Sequence, residues 1–301
     1  MILSKNRSFW AVGLLAVSAL LSACEQPGEA LIERKKRENE ADILAYIAQN
    51  NLNATKTDEG IWYFQTKANA TGQAPLTGDE VKYHFVARRL DGVIVDSTDQ
   101  AGNKPETVIL AGTNTIGITL GKYAGILKLK QGEEGAVLVP AYLDGGRNGN
   151  LVLPQYSPVR YDLKIVSVRN QNQQIQDYIR ANNLTVTTLT TDSVRVIKTL
   201  TQPADSMAIV TGKTVTMKYV GKRLNGTTFD SNTAGTFKVQ IGTKQVVPGF
   251  ESGLTALRAG EKATIIFPSS LGYGTTGTGS GANRILPYTP LLFELEIVKV
   301  E

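Results

Sequence analysis

The chain has one cysteine and one histidine in 301 residues. A single cysteine, Cys24, closes no internal disulfide and leaves no second thiol for redox chemistry. The single histidine, His84, falls in a β-rich run and reads as a half-buried strand residue. Without another, neither a hydrolytic triad nor a metal site of usual ligand spacing can be assembled. Charge of one sign is scarce as well. The formal net charge is +5, and without Lys5 and Arg7 near the start the balance is 30 basic against 27 acidic residues. That gives little support to nucleic-acid binding. The one dense basic run, Arg34 to Arg37, is bracketed by Glu33, Glu38 and Glu40, as in a solvated helix or linker face. What is present is ordinary globular material, 42% hydrophobic and 20% charged, with length for about two domains.

The longest apolar run, Phe9 to Leu21, is too short to span a bilayer, which needs about 20 residues. Preceded by Lys5 and Arg7 and followed by Leu21-Ser22-Ala23-Cys24, it resembles a bacterial lipoprotein signal. The resemblance implies cleavage after residue 23, acylation of Cys24 and attachment to a lipid bilayer. The expected location is the cell envelope, periplasmic or outer-membrane facing. Residues 24–40 then read as a polar tether.

From there the chain repeats at a period of about 132 residues. Ile43 to Leu52 returns as Ile175 to Leu184, each with apolar residues at i, i+3 and i+4 before an Asn pair, the pattern of a short amphipathic helix and its stop. Val81 to Val86 returns as Val215 to Val220, both strands. Leu90-Asp91-Gly92 returns as Leu224-Asn225-Gly226, hairpin signals that predict type I′ turns. Ile126 to Glu133 returns as Leu254 to Glu261, predicted as a short helix closed by a glycine cap. Alternating strands, Tyr161 to Val168 and Leu292 to Val300, end the two copies. The expected class is α+β: two tandem units, 41–168 and 169–301, each an antiparallel half-barrel sheet wrapped around one short helix.

Several phosphate-binding patterns fail on context. Gly272-Tyr273-Gly274-Thr275-Thr276-Gly277 spells a dinucleotide fingerprint but sits in a loop between Pro268 and Gly281. Gly212-Lys213-Thr214 has Met207 where a P-loop needs glycine. What remains in the last third is an ordered aromatic and branched set around one carboxylate. Its members are Tyr219, Phe229-Asp230, Phe237, Val246-Val247-Pro248-Gly249-Phe250, Tyr273, Ile285-Leu286-Pro287 and Phe293. It suits a greasy pocket for an apolar peptide segment.

This order strongly resembles the FKBP-type peptidyl-prolyl cis-trans isomerases over about 88 C-terminal residues. The resemblance implies isomerisation of X-Pro bonds in exported proteins without cofactor or metal. It assigns Asp230, Tyr273 and Phe229 to the catalytic set. Tyr219, Phe237, Val246, Val247, Phe250, Ile285, Leu286 and Phe293 are assigned to substrate binding. Phe250 stands where most members have tryptophan. Pro-containing polypeptide clients are the implied partners, and macrolide-type ligands are implied for the same pocket. Two other readings of the chain are a non-catalytic, chaperone-like peptide binder and a structural component of an envelope machine.

The upstream copy departs from the pattern. Tyr83 and Asp96 read as retained, and Val95 replaces Phe229. Phe237 aligns near Thr107, Phe250 with Lys122, Tyr273 with Gly145, and Phe293 near Tyr161. A lysine in the pocket floor is costly to bury unpaired. The expectation is an inactive first copy with a shallow or absent pocket.

Overall fold

The computed structural model describes residues 30–112, 115–144 and 148–301. Its N-terminal half opens with α1 (Leu31–Gln49), β1 (Thr55–Lys56) and β2 (Trp62–Lys67), followed by β3 (Glu80–Arg89), β4 (Ile94–Ser97) and β5 (Glu106–Ile109). It closes with α2 (Leu120–Leu127), β6 (Glu134–Val139) and β7 (Val159–Arg169). The C-terminal half contains α3 (Gln171–Ala181), β8 (Thr188–Leu189), β9 (Arg195–Leu200), β10 (Thr214–Arg223) and β11 (Thr228–Gln240). α4 (Pro248–Thr255), β12 (Lys262–Phe267) and β13 (Leu291–Val300) complete it. Among the described residues the fold is α+β, with two antiparallel sheets and four α-helices.

The sheets share one plan. In the first the order is β1-β2-β6-β7-β3-β4, with β5 also on β3; in the second it is β8-β9-β12-β13-β10-β11. Each long last strand carries the alternation that buries one face, as in β13, where Leu291, Phe293, Leu295 and Ile297 all lie in the core. The short helix packs on that face through glycines at i and i+4. A Cβ on Gly249 would come within 2.5 Å of the Phe267 ring, and one on Gly253 within 2.7 Å of Ile265. Gly121 and Gly125 make the same approach to Val139 and Leu163 in the first half. Removing the side chain lets helix and sheet backbones meet.

Three expectations change. Residues 31–40 are helix rather than tether, because α1 starts at Leu31. Pairs at i,i+3 and i,i+4 (Glu33–Lys36, Lys35–Glu38, Arg34–Glu38) support that turn. Asn39 fixes it to the connection between β6 and β7, donating to the Tyr156 carbonyl at 2.9 Å and accepting from the Ala141 N–H at 2.8 Å. Second, the core helices begin earlier than predicted. Residues 126–133 and 254–261 hold only their last residues and a following turn in which Gly132 and Gly260 take positive φ. In that turn the buried carboxylates of Glu133 and Glu261 accept from the N–H three residues back. Third, the hairpins are not type I′. Gly92 and Gly226 have positive φ but Asp91 and Asn225 do not. Arg89 N–H reaches Val93 and Arg223 N–H reaches Thr227, a three-residue loop with a glycine bulge.

The Asn pairs do stop their helices: Asn50 and Asn182 cap α1 and α3, and Asn51 and Asn183 take positive φ. Asn170 alone stands between β7 and α3, where it forms a capping box with Gln173. Beside it, Arg169 pairs with Glu80 of β3 and Asp177 of α3. The signal segment, Cys24 and Gly145 lie outside the described residues. No helix among the described residues is long and apolar enough to cross a membrane.

Candidate functional site

The aromatic set converges in the C-terminal half. Tyr219 on β10 is the hub. Its ring meets Phe237 of β11 edge-on at 5.0 Å, Phe250 of α4 at 6.0 Å and Phe293 of β13 at 6.2 Å. Phe250 and Phe293 stand 4.8 Å apart, also edge-on. These T-shaped contacts suit ring quadrupoles and fix each side chain. Gly221, two residues beyond Tyr219, makes room for the floor, since a Cβ there would meet the Phe229 and Phe293 rings at 2.8 Å.

Above this floor lies an open cleft of about 460 Å³. Tyr219, Phe237, Phe250 and Phe293 form its base, Val246 and Val247 one wall, and Tyr273 and Asp230 contribute polar atoms. Lys244 and Gln245 complete the rim. The family resemblance gives neither a role. Lys244 takes positive φ (56°) just before the Val246-Val247 wall, a conformation that no side-chain pattern announces.

Three of the assigned residues do not line this cleft. Phe229 is buried against Phe293, rings perpendicular at 5.5 Å, and supports the floor from beneath. Ile285 is buried in the core. Leu286 lines a different cleft, between the halves, with Ile116, Tyr178 and Leu224. Phe267, stacked on Phe293 at 5.9 Å, is a further support beyond the residues that the resemblance assigns.

The polar chemistry is sparse. Tyr219 donates its hydroxyl to Asp230 Oδ2 at 2.8 Å. Burial first, then the bond to Asp230, pushes the Tyr219 hydroxyl well above the usual phenol range. Burial, and secondly the Asp230 charge, also raises Tyr273. Among the described residues the Tyr273 hydroxyl has no hydrogen-bond partner, so it can donate to a ligand carbonyl. No group of three metal-ligating side chains occurs among the described residues.

Strand register fixes what the first half has in these places. Ala87 pairs with both Asp96 and Tyr161, as Gly221 pairs with Asp230 and Phe293. Asp96 and Tyr161 are therefore the counterparts of Asp230 and Phe293. Phe85 opposes Leu163 as Tyr219 opposes Leu295, so Phe85, not Tyr83, replaces Tyr219. Tyr83 opposes Glu106 as Met217 opposes Phe237, so the counterpart of Phe237 is Glu106, not Thr107. Lys122, third in α2, matches Phe250, third in α4. The buried lysine is paired: its Nζ lies 3.4 Å from Glu106 and 4.0 Å from the Phe85 ring centroid.

An apolar cleft with an aromatic floor, one carboxylate and one free phenol is suited to an apolar segment that carries a carbonyl. Residues 205–298 match the family described as FKBP-type peptidyl-prolyl cis-trans isomerase. The chain is 26% identical over 226 residues to the mouse peptidyl-prolyl cis-trans isomerase FKBP9, covering 74% of this chain and 35% of that protein. Over 92 residues it is 38% identical to FKBP53 of Arabidopsis thaliana, covering 30% of this chain and 19% of that protein. It thus spans about a third of the length of the first of these relatives. Among solved structures, the three FKBP domains of wheat FKBP73 align over 81% of this chain and 96% of that one, at 21% identity and a TM-score of 0.37. FkpA from Escherichia coli aligns over 46% of this chain and 63% of that one, at 21% identity and a TM-score of 0.38.

Proposed function

We propose that the C-terminal half isomerises X-Pro bonds in exported polypeptides and that the N-terminal half, over about residues 41–168, is an inactive copy. The observation that carries this reading is the convergence of Tyr219, Phe237, Phe250 and Phe293 under one open cleft, with Tyr273 and Asp230 its only catalytic-set polar groups. An X-Pro bond exchanges slowly because amide resonance sets a barrier of about 18–20 kcal/mol. The planar amide is more dipolar than the twisted one. A water-poor aromatic cleft therefore disfavours the planar ground state relative to the twisted state. A thousandfold acceleration needs about 4 kcal/mol of such selectivity and no nucleophile or base. Tyr273 would donate to a substrate carbonyl, and Asp230, oriented by Tyr219, would polarise the site.

Acylated Cys24 would hold the chain on an envelope bilayer near its clients, and the same cleft would accept macrolide-type ligands. The test is isomerisation of a short prolyl peptide by the full chain, alongside Asp230→Ala combined with Tyr273→Phe. Acceleration that survives the double change overturns the assignment. Saturable peptide binding without acceleration establishes instead a holder of unfolded segments.

A further inference from the structure

The N-terminal half has an apolar corner where its copy has a polar one. Val93 and Ile94 follow the turn after β3, at the start of β4, and Leu151 and Val152 form the tip of the loop before β7. Leu151 is fully exposed, and the other three are between 42% and 53% exposed. Arg89 joins turn and loop: its backbone N–H donates to the Val93 carbonyl and its guanidinium to the Val152 carbonyl at 3.3 Å. In the C-terminal half Arg223 makes the equivalent bonds, to the carbonyls of Thr227 and Arg284. The four matching residues there are Thr227, Thr228, Asn283 and Arg284. Every one is polar, so the fold itself does not require apolar side chains in these places.

A second difference lies beside the first. α1 has 19 residues and α3 has 11. The extra turns of α1 carry half-exposed Leu31 and the stretch Glu33 to Glu38, four basic against two acidic side chains. Three contacts seat these turns against the loop that bears Leu151. Lys35 lies over the Tyr156 ring, Lys36 over the Tyr142 ring, and Asn39 bonds the Tyr156 carbonyl. The start of α1 and the apolar loop therefore occupy one end of this half.

Tether length selects what covers that end. Leu31 follows Cys24 by seven residues, which reach at most about 25 Å when fully extended. We propose that this end of the N-terminal half, through Leu31, the Val93–Ile94 pair and the Leu151–Val152 tip, rests in the headgroup boundary of the bilayer that holds acylated Cys24. The proposal depends on the lipid-anchor reading and extends it from a point of attachment to a face. Apolar tips at the acyl boundary, with a modest excess of basic side chains beside them, are what interfacial docking requires.

The experiment uses the acylated full chain in vesicles of phosphatidylethanolamine and phosphatidylglycerol. Leu151→Cys supplies a single labelling site, since acylation consumes Cys24, and carries an environment-sensitive dye. The expected result is a blue-shifted emission and several-fold weaker quenching by aqueous iodide than for the same dye at Asn283→Cys. Water-like emission at position 151, or equal shifts at the two positions, overturns the proposal. A shift that grows with protein concentration in detergent, without lipid, assigns the face to a second copy of the chain and overturns it too. The mass of the purified protein decides the anchor separately: an unmodified Cys24 overturns the lipid-anchor reading, whatever the dye reports.

Discussion

Lys122 and Glu106 occupy the two places in the N-terminal half that Phe250 and Phe237 occupy in the C-terminal half. They form an ion pair at 3.4 Å there. The lysine side chain is only 9% exposed and the glutamate 44%. Tyr83 donates to the same carboxylate oxygen at 2.6 Å. Two aromatic side chains have been exchanged for a charge pair, so the lysine is a compensated replacement rather than a defect.

Removing one partner should therefore harm more than removing both. Glu106→Ala leaves Lys122 buried without its counter-ion and is expected to cost about 1–3 kcal/mol, reduced from a fully buried pair by the exposure of Glu106. Adding Lys122→Met should recover most of that loss. Chemical denaturation of the single and double variants measures both. Additive losses would show that the pair is not coupled.

Phe250 sets the depth of the C-terminal cleft. Phe250→Ala removes a ring buried against Phe293 and should lower kcat/KM by roughly ten- to a hundredfold, with a stability loss of about 3 kcal/mol. Phe250→Trp adds ring area at a position that opens on the cleft and should retain activity. Prolyl-peptide isomerisation rates for the two variants make the comparison. Equal activity of alanine and wild type would remove the floor from the mechanism.

Activity should be level in pH. Tyr219 and Tyr273 are both raised above the ordinary phenol value of 10.0. Both hydroxyls therefore stay protonated between about pH 6 and 9. No histidine lines the cleft. A bell-shaped kcat/KM profile within that window would point to proton transfer and contradict a mechanism built on desolvation and orientation.

Glu133 links the N-terminal half to acid. Burial raises its carboxyl, and the N–H groups of Asn69 (3.0 Å) and Lys130 (2.8 Å) lower it by more, leaving it below its ordinary value of 4.5. At neutral pH the carboxylate is ionised in both states and the native state gains from these bonds. As pH falls through the unfolded value the unfolded chain takes the proton first, and the gain is gone once the native carboxyl titrates too. Glu133→Gln should thus lower stability at pH 7 and flatten its decline between about pH 5 and 3. Urea midpoints across that range provide the measurement, and parallel curves for variant and wild type would refute the linkage.

Much of the site was legible because aromatic residues in fixed order are a dense signal. Tyr219, Phe237, Phe250 and Phe293 meet at one cleft, where the resemblance put them. Other parts were hidden by backbone geometry. Two-residue turn logic fitted Asp91-Gly92 and Asn225-Gly226, but a bulge added one residue to each loop. The offset between copies runs from 132 at Leu163 to 134 at Phe85, and matching like with like put Tyr83 in the place of Tyr219. Only the ladder, with Phe85 against Leu163, fixes the correspondence. Phe229 and Ile285 were drawn into the site by chemistry shared with its walls, but they face the core beneath it. The first turns of α1 were hidden by their polarity, since their helix is held by ion pairs and by Asn39 rather than by an apolar stripe.

The glycines at 121 and 125, and at 249 and 253, put load-carrying contact and ligand contact on different residues of the same helix. Joinery between helix and sheet depends on positions that carry no side chain, whereas position 250, between them, faces the cleft and position 122 carries the buried lysine paired with Glu106. A duplicated gene can then rewrite its ligand surface without loosening its frame. In a deep mutational scan, tolerance at the four glycines should look alike in both halves, and the two halves should part company at 122 and 250.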